Sequence, residues 1–222
     1  MSLLVWALQT MQPPPPKICG LPNGPPVTSP RIRLRDGRLA GAALVVPIVN
    51  YWWPSFPSNL SKEAFAKQPL RDQWSLLIAH YAPQLLYGWM TQKWFPSSSM
   101  VELNADIFGP RDKDILKKMS RILTPNQTMV RQQGVHESLH RDLMVSFGTW
   151  EFDPMDLSDP FPDSSGFVHI WQGYEDPFVP FQLQRYVSKK LPWIQYHEVP
   201  DGGHLIMYDD NLFEAKLRAL LL

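Results

Sequence analysis

Cysteine is all but missing: Cys19 stands alone in 222 residues. One thiol excludes an intramolecular disulfide framework and any zinc site built from cysteines, and it makes the reducing cytosol or a cytosol-facing surface the expected location. A surplus of either charge is missing too. Lys+Arg and Asp+Glu both number 21, so the formal net charge is zero, and nothing in the balance recruits nucleic acid or anionic lipid. Long apolar runs are also missing near the start. Met1–Leu8 (MSLLVWAL) is apolar but uncharged, and polar residues and prolines follow it. It is shorter than a secretory signal's basic start and apolar core, or the roughly twenty residues of a membrane span. A helical tip and a remnant of a longer anchor both fit it. No Walker or Rossmann glycine loop and no basic–aromatic stripe occurs, and no cofactor is expected.

What is present begins with a proline-rich arm over residues 1–30, in which QPPPPKICGLPNGPPVTSP reads as extended polyproline II and turns. The domain proper is expected over 31–222. RIRLRD (31–36) alternates charged and apolar residues as a half-exposed strand does, and Asp36-Gly37 is a turn signal. LAGAALVVPIV (39–49) is continuously apolar, as in a strand buried on both faces of a parallel sheet. A tight hairpin joins two such strands, whereas parallel buried strands need a crossover of a dozen or more residues. On the second reading the chain lacks material between Arg38 and Leu39. The strand Ala40–Val49 then keeps an unpaired apolar edge, through which the chain would self-associate or aggregate.

Residues 61–149 read as a helical block. Ser61 is the expected N-cap of a helix running to His80, with Phe65, Leu70, Trp74, Leu77 and Ile78 as its apolar positions. Further helices are expected at 84–93, 98–107, 111–122 and 125–147, with Pro83, Pro96, Pro110 and Pro125 near their boundaries. An all-helical block between a buried strand and later α/β units reads as a lid. Alternation then returns: GFVHIWQG (166–173) as a strand, 179–191 as a helix with Phe181, Leu183, Tyr186 and Val187 as buried candidates, QYHEV (195–199) as a second strand, and 211–222 as a closing amphipathic helix. That order is a βαβ unit with parallel strands.

In such folds chemistry sits at the carboxyl ends of the strands. Two turns stand out there. GYEDPFVP (173–180) places a carboxylate directly after a strand, and PDGGH (200–204) presents a histidine after the next. An Asp that orients a His, with the His as general base, makes two-thirds of a nucleophile triad, and acid before histidine is the α/β-hydrolase order. Asp176 before Pro177 also suits a helix N-cap, and a loop histidine is most often simply solvated. Glu175 is the rival acid.

QPPPPKICG, PPVTSPRIRLRDGR, LAGAALVVPIVNYWWP, the GxEDxxVP turn and LQRYVSKKLPWIQYHEVPDGGH resemble a plant subfamily of the α/β-hydrolase superfamily, over nearly the whole chain. The resemblance implies a partial α/β-hydrolase fold with an incomplete parallel sheet and an inserted helical lid over about 61–149, ancestral ester or acyl hydrolase chemistry, Asp176 as triad acid, His204 as triad base, and a small apolar ligand under the lid. It also marks a departure. Members of the subfamily carry an oxyanion-hole His-Gly pair and G-x-S-x-G ahead of the buried strand. Here the glycines four apart are Gly20/Gly24 and Gly37/Gly41, around Pro22 and Leu39, and no His-Gly pair occurs. Ser97, Ser98, Ser99 and Ser146 fall on helical or loop segments. The chain thus resembles a shortened isoform without the nucleophile-elbow half, a catalytically incomplete hydrolase. A non-catalytic small-molecule or protein-binding module is the alternative. A remoter one is a zinc hydrolase through His136-Glu137-Ser138-Leu139-His140, whose HExxH spacing puts two imidazoles on one helical face.

Overall fold

The computed structural model describes residues 31–35, 38–94, 105–122, 135–163 and 166–221. The proline-rich arm, the Asp36-Gly37 turn, Ser97–Ser99 and the expected helical stretches over 98–104 and 125–134 lie outside them.

The sheet has four strands: β1 (Arg31–Arg35), β2 (Arg38–Val45), β3 (Phe167–Gly173) and β4 (Ile194–Val199), in that spatial order. β2, β3 and β4 run parallel, with Leu44 opposite Ile170 and Ile170 opposite Tyr196. β1 pairs antiparallel to β2, from Arg35 opposite Arg38 to Arg31 opposite Ala43. The expected unpaired edge of β2 is therefore not found. β1 occupies it, because two residues suffice to reverse an antiparallel pair, and the Arg38–Leu39 junction falls inside β2. β2 is also shorter than the apolar run that announces it. Val46 turns out of the strand at φ 44°, a left-handed conformation strained for a β-branched residue, and Pro47 follows.

Helices cover both faces. α6 (Phe181–Lys190) and α7 (Asp210–Leu221) follow β3 and β4. Leu44, Val168 and Ile170 pack with Leu183 and Val187 of α6 in the larger core. On the opposite face Ala43 and Trp171 join Val199, Ile206 and, from α7, Leu212 and Ala215. This is the period-2 alternation of a strand buried on both sides. Of the four expected buried positions in α6, Leu183 and Val187 are buried while Phe181 and Tyr186 are half-buried; Gln184 is buried as well, its amide donating to the Pro47 carbonyl.

Between β2 and β3 lie α1 (Ser58–Ala66), α2 (Leu70–Tyr81), α3 (Pro83–Thr91), α4 (Pro110–Ile122) and α5 (Val135–Phe147). The single helix expected over 61–80 is two. Pro69, lacking an N–H and fixed in φ, opens α2 instead of continuing α1. Ser61 is not an N-cap either: α1 starts at Ser58, and the Ser61 hydroxyl donates to the Tyr51 carbonyl. Leu70 and Trp74, expected on an apolar face, are exposed. α2, α3 and α5 pack on one another, and α4 packs on the segment after β4. Among the described residues no helix is long and apolar enough to cross a membrane.

Candidate active site

Because β3 and β4 are parallel, the turns after Gly173 and Val199 leave the same edge of the sheet. They are stitched together there: Tyr174 N donates to the Val199 carbonyl at 3.0 Å and Glu175 N to the Gly202 carbonyl at 2.9 Å. A side chain at Gly173 would put its Cβ 2.4 Å from the Gly203 carbonyl oxygen, so this approach is open only to glycine.

On that edge Asp176 and His204 meet. His204 Nδ1 lies 3.0 Å from Asp176 Oδ2 and 3.2 Å from Oδ1. The Asp176 side chain is fully buried, and that of His204 is 23% exposed. Asp176 Oδ1 also accepts the backbone N–H groups of Phe178 and Val179 at 2.8 and 2.9 Å, the local pattern that makes Asp a turn and cap residue. The two readings of Asp176 are therefore not rivals, since one carboxylate closes its own turn and faces the imidazole. A carboxylate only accepts, so Nδ1 carries the hydrogen of this bond and Nε2 is left as the basic nitrogen. Glu175 is exposed and turned elsewhere; a Cβ on Gly109 would come within 2.9 Å of its Oε2.

Burial disfavours the charged imidazole. The adjacent Asp176 charge and hydrogen bond, with a further contribution from the Asp112 charge, outweigh it and raise the His204 pKa above its ordinary value. The Phe178 ring closes one side, edge-on at 4.9 Å. Among the described residues no hydroxyl bonds to His204 Nε2.

Three further residues carried no signal that marked them as part of the site. Gln172, fully buried on β3, donates to the Gly173 and Val179 carbonyls and reaches Asp176 Oδ2 at 3.4 Å. Tyr51 lies near enough to feel the Asp176 charge; burial first, then Asp176 and Asp72, push its phenol pKa up. Asp112, in the first turn of α4, accepts the His204 backbone N–H at 2.8 Å and that of Leu205 at 3.1 Å.

Among the described residues neither Ser146 nor the HExxH histidines hydrogen-bond to Asp176 or His204. Ser146 is buried on α5 with its hydroxyl unpartnered, within regular helix and not on a strand-to-helix turn. His140 meets the Tyr87 ring edge-on at 5.6 Å, and Glu137 accepts the Tyr87 hydroxyl at 3.0 Å. Among the described residues no group of three His, Cys, Asp or Glu side chains is placed to hold a metal ion, so the HExxH pattern has no third ligand there.

Fold and site together define an α/β arrangement, three parallel strands with helices on both faces, whose carboxyl edge carries a buried aspartate side chain paired with a partly exposed histidine. No family model matches the chain, and no curated protein matches it. A solved structure of a thermophilic esterase from Thermogutta terrifontis, with malate bound, is similar at 16% identity and a TM-score of 0.36, over 82% of this chain and 54% of that one. The chain thus spans about half the length of that structure. A likeness this distant adds no argument to the geometry.

Proposed function

We propose that the chain is an α/β-hydrolase-type protein that keeps the acid–base half of a serine-hydrolase site and lacks its nucleophile. The observation that carries this reading is the Asp176–His204 contact at adjacent parallel strand ends. Asp176 holds the imidazole through Nδ1 and stabilises its protonated form, and His204 Nε2 is the general base toward a hydroxyl or water presented from above the sheet edge. The helices between β2 and β3 serve as the lid over that edge, with a small apolar molecule as ligand.

No G-x-S-x-G or His-Gly pair occurs in the sequence, so a nucleophile on a strained turn and its oxyanion donors have no local source. Losing the nucleophile alone removes on the order of 10⁴–10⁶ in turnover. The chain is accordingly read as a shortened relative of active hydrolases. A serine-reactive fluorophosphonate probe and short-chain p-nitrophenyl esters test this on the purified protein. The expected result is no stoichiometric labelling and ester cleavage that differs little between the wild type and His204→Ala. Stoichiometric labelling of one serine, with cleavage abolished by His204→Ala, overturns the incomplete-site reading.

A further inference from the structure

The His204 loop is gripped by a helix distant from it in sequence. Asp112 reaches in from α4, 92 positions away, and its carboxylate lies across the backbone of the loop: Oδ2 on His204 N and Oδ1 on Leu205 N. Its side chain is fully buried. Gly203 is shaped to that carboxylate, for a Cβ there would stand 2.2 Å from Asp112 Oδ2. The neighbouring Arg111 holds the loop at both ends. Its Nη1 meets Asp201 Oδ1 at 2.5 Å, and its Nε and Nη2 both meet Asp209 Oδ2 at 2.7 Å. Three residues before His204 and five after it, the loop is tied to the same helical turn.

We propose that Asp112 is a positioning residue for His204, fixing the backbone that aims the imidazole at Asp176 and placing a second negative charge against the histidine, with Arg111 clamping the loop around it. Two buried carboxylates then serve one imidazole in different ways. Asp176 engages the ring and Asp112 engages the peptide that carries it. The charged groups that act on the ring are these two, one from the turn after β3 and one from α4. Buried carboxylates are retained where backbone N–H groups satisfy them, and Asp112 meets that condition with two. Burial still raises its pKa, partly offset by the Leu205 and His204 N–H groups. The helical insert and the site histidine are thereby tied together through the His204 loop.

The role rests on reading His204 as the site's base, but its test involves no turnover. The imidazole signals of His204 are titrated by NMR in the wild type and in Asp112→Asn, with Arg111→Met alongside. Asp112→Asn keeps the side chain's shape, removes its charge and, with one acceptor oxygen in place of two, gives up one of the two backbone hydrogen bonds. The expected result is a fall of threefold or more in the His204 proton affinity and a shifted Nδ1–H resonance in Asp112→Asn. In Arg111→Met the titration stays near wild type, while the His204 and Leu205 amides exchange faster. An unchanged titration in folded Asp112→Asn overturns the proposal. Should that variant fail to fold, amide exchange in the wild-type protein decides. Protection of His204 and Leu205 N–H comparable to β3 supports the clamp, and rapid exchange at both overturns it. A serine found active by the fluorophosphonate test would leave these outcomes unaffected.

Discussion

Two pairs share a sequence separation of 28 residues, His169–His197 within β3 and β4 and Asp176–His204 in the turns that follow them, and their histidine pKa values shift in opposite directions. His169 and His197 sit within the strands, Nδ1 to Nε2 at 3.0 Å, with the His197 ring stacked on Trp171 at 4.2 Å. Burial lowers both pKa values, and for His169 the charge of a protonated His197 lowers it further. Seven residues further along each strand's path the partner is a carboxylate, and the His204 pKa is raised instead. The ladder sets His169 opposite Gln195 and Trp171 opposite His197, so the two histidines meet diagonally across it, whereas Asp176 and His204 lie beyond its last rung, Gly173 with Val199. Burial disfavours the charged form of all three imidazoles, and only at His204 do neighbouring carboxylates outweigh it.

The largest break in that comparison comes from Asp176→Ala. It leaves the Phe178 and Val179 N–H groups and His204 Nδ1 without their acceptor, and stranding buried donors of this kind costs roughly 3 kcal/mol. Urea unfolding should show that loss, and the His204 titration should move down toward the behaviour of the His169–His197 pair. A loss well below about 1 kcal/mol, with His204 still titrating high, would mean that Asp176 is not what holds the histidine.

A smaller effect separates the two pairs by pH. The unfolded histidines bind protons near pH 6.5, and folded His169 and His197 bind them only at lower pH. Below about pH 6.5 the unfolded chain therefore takes up more protons at these two positions, and they lose stability for the fold as pH falls. His204 has the reverse sign: its contribution is full below its unfolded pKa and fades as pH rises through its folded one. The His169→Gln/His197→Phe double variant should flatten the acid-side decline of the urea midpoint between pH 7.5 and 5.5. An unaltered pH profile would show that the strand pair is already hydrated.

Much of the sheet was legible in the residues, and less of the site. GFVHIWQG and QYHEV announce β3 and β4 through alternation and glycine punctuation, and their parallel pairing follows from the helix between them. The Asp176–His204 contact was legible for the same reason, since parallel strands put both turns on one edge. Which acid faces the histidine was not, because Glu175 and Asp176 differ by one position and only the Phe178 and Val179 N–H groups select between them. Asp112 was hidden more deeply. In PRDKD it reads as an ordinary acid in the first turn of a helix, and its partners are 92 and 93 residues away. Pro69 was visible, yet the amphipathic spacing on either side of it argued for one helix. The φ constraint of proline outweighed that spacing.

The finest test asks whether the two pairs are held by the strand ladder and core or by surface ties on the same unit. Arg185 of α6 forms a two-point contact with Glu198 of β4, Nε to Oε2 at 2.7 Å and Nη2 to Oε1 at 2.6 Å, and lies over the Phe181 ring at 4.6 Å. It is the visible strap between helix and strand. Its side chain is nevertheless about half exposed, and exposed ion pairs contribute about 0–1 kcal/mol. The buried contacts of Leu183 and Val187 and the β3–β4 ladder should therefore hold the unit without it. Arg185→Ala is expected to lower stability by less than about 1 kcal/mol in urea and to leave the His197 and His204 titrations where they are. If either histidine moves, α6 steers its pair through the surface, and the strand ladder and buried core alone do not hold it.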